Sequence, residues 1–228
     1  MRQLARTDVL KSATIAALIS AVLCLPRVWL WSARKYPVWY LEALLFLGGT
    51  VLWAFVFAWH TKYTARPVFR FRIKPSLLTL ATIAALVIAV VLIVFLDPAL
   101  RRAAPEDYPS SFSQWLAMAL FSLAFTQIFL VFAPCAWLMR LFGSQTVAIT
   151  LTVVFGVCVA IVRNHGSSTF TSGELFPTLL LLRAISSLLS LYFYWQGGAI
   201  LAGWFAFLIL GRHLLDLRGG VDLLRADP

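Results

Sequence analysis

A chain of 228 residues that is 61% hydrophobic and only 12% charged, with nine tryptophans, lies outside the range of soluble domains and inside that of polytopic membrane proteins. The net charge of +10 would suggest nucleic acid in a soluble protein. Here the 19 Lys and Arg sit mainly between and beside apolar runs, where they orient helices and meet lipid phosphates, so nucleic acid is excluded as a partner.

The first apolar run follows Arg2, Arg6 and Lys11 and is expected to form a helix over about residues 12–31. Pro26, Arg27 and further aromatics follow it in place of a small-residue cleavage pattern, so a retained helix is expected, with a cleaved signal as the alternative. The first loop carries Arg34 and Lys35 between Trp29, Trp31, Trp39 and Tyr40, the composition of an interfacial belt. A second helix over about residues 38–59 bears Glu42, and Gly48 and Gly49 that would allow a neighbouring helix to approach.

Residues 60–75 are the most basic stretch. Lys62, Arg66, Arg70, Arg72 and Lys74 alternate with Tyr63, Val68, Phe69, Phe71 and Ile73, which suits a short amphipathic segment on an anionic leaflet and marks the cytoplasmic side. Docking of an acidic partner is the alternative. A third helix, about residues 76–96, has no polar residue deeper than Thr79 and Thr82 and can face lipid; Asp97-Pro98 ends it, and Ser110 or Ser111 offers an N-cap for the fourth.

Two long apolar runs then flank the polar break at residues 140–145, each long enough to cross a hydrocarbon core of about 30 Å, so residues 112–165 read as a transmembrane hairpin. Thr126 and Gln127 fall half way along its first arm. Beyond the polar loop at residues 163–174, which holds Asn164 and His165, a sixth helix over about residues 176–194 contains Arg183. A tight turn at residues 196–198, a short seventh helix over about residues 199–210 and an interfacial tail complete the chain. The fold expected is an all-α, polytopic transmembrane bundle of about seven helices, or eight if the tail or the fourth run divides, forming one integral membrane domain over residues 1–228.

Flanking Lys and Arg number eight at the N-terminus and in loop two against five in loops one and three, which favours a cytoplasmic N-terminus. The expected location is the bacterial inner (cytoplasmic) membrane. Arg183 and Glu42 would enter from the same side at compatible depth, and are expected to pair and share the cost of a buried charge.

Pro134, Arg140, Phe142, Gly143 and Phe155 lie where they would in the core of the CAAX-protease and bacteriocin-processing (CPBP) family, which this chain resembles over about residues 111–213. The family's paired glutamates, arginine and first histidine fall on Thr126, Gln127, Val131 and Val159. Its later histidine and asparagine fall near Ala206 and Leu210, or Phe207 and Gly211. The resemblance therefore implies a pseudo-protease: an amide such as Gln127 has essentially no basicity with which to activate water.

His60, His165 and His213 belong to different loops or ends, and the odd-numbered Cys24, Cys135 and Cys158 lie in apolar runs as small buried hydrophobes, so no metal site and no cofactor is expected. Three classes remain. The first is a non-catalytic accessory or scaffold subunit, with lipids and other integral membrane subunits as partners. The second is an intramembrane protease with unrecognised residues, and the third a transporter or a binder of lipid, quinone or pigment. The candidate polar contacts are Glu42, Gln127, Arg183, Asn164 and His165.

Overall fold

The computed structural model describes residues 2–30, 35–64, 66–103, 105, 108–164 and 175–223. Those residues are all-helical apart from connections and one isolated bridge between Phe69 and Gly198. Among the described residues, six helical segments are long and apolar enough to cross a membrane: Thr7–Leu30, Val38–Tyr63, Pro75–Arg102, Phe112–Phe142, Gln145–Val162 and Phe176–Leu215.

Helices α1 (Arg2–Leu30) and α2 (Val38–Trp59) form a hairpin. Ala13, Ala17, Ala21, Cys24 and Val28 recur every three or four residues along α1 and are buried, as is Ser20 beside them. Small side chains let the backbones approach, which is how helices associate where lipid is as apolar as leucine. A Cβ built on Gly49 would stand 3.5 Å from that of Ala17, while one on Gly48 meets nothing within 4 Å, so only one of the two glycines serves the seam. One turn beyond Gly49, Trp53 Nε1 donates to Ser20 Oγ at 3.1 Å.

Helix α3 (Pro75–Val91) does not end at Asp97-Pro98. A π-helical turn at Leu92–Leu96 leads into α4 (Asp97–Ala103). The same arrangement recurs in the fourth span, where α5 (Phe112–Phe121) is followed by π-turns at Ser122–Thr126 and Ile128–Phe132 and then by α6 (Ala133–Phe142). Pro98 and Pro134 each follow a π-turn by two residues. Proline lacks an N–H and crowds the carbonyl four residues back; the wider turn upstream already displaces that carbonyl and lets both helices continue. Nor is α3 wholly lipid-facing: Ala81, Ala85, Ile88 and Ala89 are buried, and Thr82 Oγ1 accepts from Trp204 Nε1 at 3.0 Å.

Ser111 caps α5 by accepting from Gln114 N, the second of the two caps the sequence offered. Gly143 ends α6 with φ 64°, and α7 (Gln145–Asn164) begins after Ser144. The last helix, α8 (Leu175–Leu223), runs on through the expected turn and tail, broken only at Gly198 (φ 74°, ψ −170°). The expected seventh helix is thus longer than residues 199–210, and the tail to Leu223 is helical rather than a separate strap.

The limb of α8 before Gly198 packs on α7 and the fourth span. There Tyr194 stacks on Phe132 with ring centroids 4.4 Å apart. The limb after it follows α3, as Trp204 meets Thr82 and Arg212 meets Asp97. Cys24 and Cys135 are buried as expected, whereas Cys158 is exposed.

The unequal surroundings of the paired glycines give a direct test. Gly49→Leu should lower the thermal stability of the detergent-solubilised protein by about 1–3 kcal/mol through overpacking against α1. Gly48→Leu should change it by less than about 0.5 kcal/mol, measured in parallel by thermal unfolding.

Candidate functional site

The one residue of α8 with non-helical backbone angles meets the basic loop. Residues 66–74 are non-helical and form a connection folded against the helices. Val68 is buried, and Phe69 packs against Trp53 and Phe57 with centroids 5.5 and 6.3 Å away. Breaking α8 frees the Ala199 N–H, and Val68 O accepts it at 2.9 Å. A Cβ on Gly198 would come within 2.5 Å of the same carbonyl, so both the conformation and the approach require glycine there.

His60 fastens the loop from beneath. It is buried in the π-turn His60–Thr64 that ends the second span. Its Nδ1 lies 2.9 Å from Arg66 O and its Nε2 2.8 Å from the Tyr194 hydroxyl. A carbonyl only accepts, so Nδ1 carries the proton and donates; in the neutral ring Nε2 then accepts from Tyr194. Trp59 packs beside this pair, at 4.8 Å from His60 and 5.2 Å from Trp195.

Over this base lies a cavity of about 270 Å³ walled by Arg66, Arg70, Arg72 and Lys74, with Gln196 from the turn and Leu77 from α3. Arg70 is anchored, its Nη1 donating to Gln196 O at 3.0 Å. Burial, and then the neighbouring Arg66 charge, hold its guanidinium below the ordinary arginine range. Lys62, the fifth basic residue of the stretch, stands apart over the Tyr63 ring at 5.1 Å.

The intramembrane residues singled out by sequence do not converge. Glu42 lies close enough to Cys24 of α1 to act on it electrostatically, and its buried Oε1 has no hydrogen-bond partner among the described residues. Arg183 lies on the α7–α8 seam, its Nε 3.9 Å from a Cβ built on Gly156, beside Ser187. The expected Glu42–Arg183 pair is therefore not formed: hydropathy gave both residues a compatible depth, but their helices bury them in different seams. Gln127 sits between the two π-turns of the fourth span, with its Oε1 buried and unpartnered among the described residues. Asn164 ends α7, and His165 lies outside the described residues.

A second polar cluster, at the far end of α3, went unforeseen. Asp97, only 4% exposed, accepts from Arg212 Nε through Oδ2 and from the Tyr108 hydroxyl through Oδ1, both at 2.9 Å. Arg101 stands 5.0 Å over the Tyr108 ring, and the His213 ring meets its edge at 5.2 Å. Burial, and then the Asp97 carboxylate, push the Tyr108 hydroxyl pKa far above its ordinary value, so it stays protonated and donating. The signal was present as an Asp closing one apolar run and an Arg-His pair closing another, but nothing local joins positions 115 residues apart.

Comparison of the chain with protein-family models, with curated proteins and with solved structures gives no match.

The Asp97–Arg212 pair is dry enough that losing one partner should cost more than losing both. Asp97→Leu alone should destabilise by about 3–5 kcal/mol, because Arg212 is left buried without its carboxylate. Adding Arg212→Leu should recover part of that loss in thermal unfolding of the detergent-solubilised protein; a double variant no better than the single would mean the two are not partners.

Proposed function

We propose that this chain is a non-catalytic, multi-pass integral membrane protein, an accessory or scaffold subunit of a membrane complex, built on a frame like that of the CPBP family without its chemistry. One observation carries the reading. The middle of the fourth span, where the resembled family would place its carboxylates, is packing material. Ile128, Val131 and Phe132 are buried, and Phe132 is stacked on Tyr194. Val159 packs against the same core. Hydrolysis needs a water beside a base; here the polar residues are a threonine and an amide.

The reading includes seven crossings, with the two limbs of α8 spanning separately, and a cytoplasmic N-terminus and basic loop. In its support, a straight 40-residue span would run about 60 Å, twice the hydrocarbon core. The turn at Gly198 touches loop two, and Arg212 touches the opposite end of α3. Pairing with Asp97 also neutralises Arg212, which removes part of the inward pull that the basic tail would exert against an odd number of crossings.

Purification from native membranes should yield a stoichiometric complex, and Gln127→Ala should leave that complex intact. A peptide substrate whose turnover falls by orders of magnitude in Gln127→Ala would replace this reading with a protease. For the orientation, after replacement of the native cysteines, an impermeant thiol reagent should label Ser110→Cys in intact cells and Lys62→Cys only after permeabilisation. An alkaline phosphatase fused to the C-terminus should be active outside the cytoplasm; the opposite result in either assay reverses the assignment.

A further inference from the structure

We propose that the cavity between the basic loop and the Gly198 turn is a binding site for a phosphate group at the membrane surface. The inference concerns this face alone and holds whether or not the bundle has partners or chemistry.

Charge is the first argument. Four cationic side chains, Arg66, Arg70, Arg72 and Lys74, line the cavity, and among the described residues no acidic one does. Like charges gathered on one concave wall repel each other and focus a positive potential into the space between them. The first turn of α3, which contributes Leu77 to the wall, contains no acidic residue, and its N-cap Lys74 supplies no side-chain acceptor, so the positive end of that helix is uncompensated too.

Geometry is the second. Arg70 is not a free surface chain: Gln196 O accepts from its Nη1 at 3.0 Å, and the residue lines the cavity. A guanidinium tethered at one terminal nitrogen keeps its orientation and presents its remaining fork to an oxyanion with less ordering to do. A carboxylate would be met by one such fork, whereas a phosphate monoester, with a charge of about −1.5 to −2 and three acceptor oxygens, matches several cations converging from different directions.

Size and position set the ligand class. At about 270 Å³ the cavity lies just below the range of roughly 300–1,000 Å³ typical of small-molecule sites, so it accepts a head group and not a whole lipid. Phe71, 86% exposed and between the lining residues Arg70 and Arg72 in sequence, offers an apolar contact suited to the acyl boundary. The phosphate can belong to an anionic lipid or to a soluble compound, and the two sources are separable.

The test uses the full chain in phosphatidylcholine nanodiscs. In one arm phosphatidic acid is included in the bilayer and bound lipid is counted by native mass spectrometry; in the other, inorganic pyrophosphate is titrated in by calorimetry. Retention of phosphatidic acid alone assigns a lipid head group, response to pyrophosphate assigns a soluble phosphate, and either supports the site. Arg72→Gln, at an exposed position where folding is not at risk, should weaken binding about tenfold, the loss of one charge-assisted contact. Arg70→Lys, which keeps the charge but removes the fork, should do the same. Lys62→Gln removes one charge from the same stretch outside the cavity and should change binding less than about twofold. Absence of binding in both arms, or equal losses in Lys62→Gln and Arg72→Gln, overturns the proposal in favour of diffuse attraction to the surface.

Discussion

The bundle depends on a single broken peptide geometry at Gly198. An uninterrupted helix of 49 residues would extend about 74 Å, far beyond any bilayer core, and one residue in a region of backbone space reserved for glycine divides it. Breaking a helix leaves an N–H without its intrahelical acceptor. Val68 supplies the acceptor, which obliges the basic loop to fold back over the turn. Once it does, Arg66 meets His60, His60 meets Tyr194, and the cations of the loop are drawn around one cavity.

The opposite end of the same limb is secured by charge. Arg212 and Tyr108 both donate to Asp97, so the carboxylate is neutralised and hydrogen-bonded through both oxygens, the condition under which a buried charge is tolerated. The post-turn limb of α8 is thus pinned by a backbone bond at one end and an ionic cluster at the other, with Trp204 bonded to Thr82 between them. The α1–α2 hairpin is held differently, by small residues and one indole hydrogen bond, because its faces carry almost no charge to pair.

The fourth span combines both kinds of feature. Its π-turns release it from strict helical register around Gln127 and Pro134, and π-turns often accompany functional positions. Here the side chains they direct inward are mainly apolar, and the Gln127 amide oxygen, without a partner among the described residues, is the exception. That contrast marks the span as one packed mainly through apolar side chains.

By itself the sequence determined the membrane class, the helical fold and some of the local stops and starts, though not where α3 or the last helix ends. Composition and apolar run length decide whether a segment partitions into lipid, and Ser111 and Gly143 act through backbone groups within a few residues of themselves. Tertiary structure alone decided which polar residues meet. Glu42 and Arg183 had compatible depths yet lie in different seams, while Asp97 found Arg212 across 115 residues and Arg70 found Gln196 across 126. It also decided that one glycine of the 48–49 pair faces a helix and the other does not, and that the basic stretch encloses a cavity. The physical reason is that hydropathy fixes how deep a side chain sits, but among helices of nearly equal apolarity the choice of neighbour rests on shape, small-residue contact and the few hydrogen bonds available, none of which a linear pattern encodes.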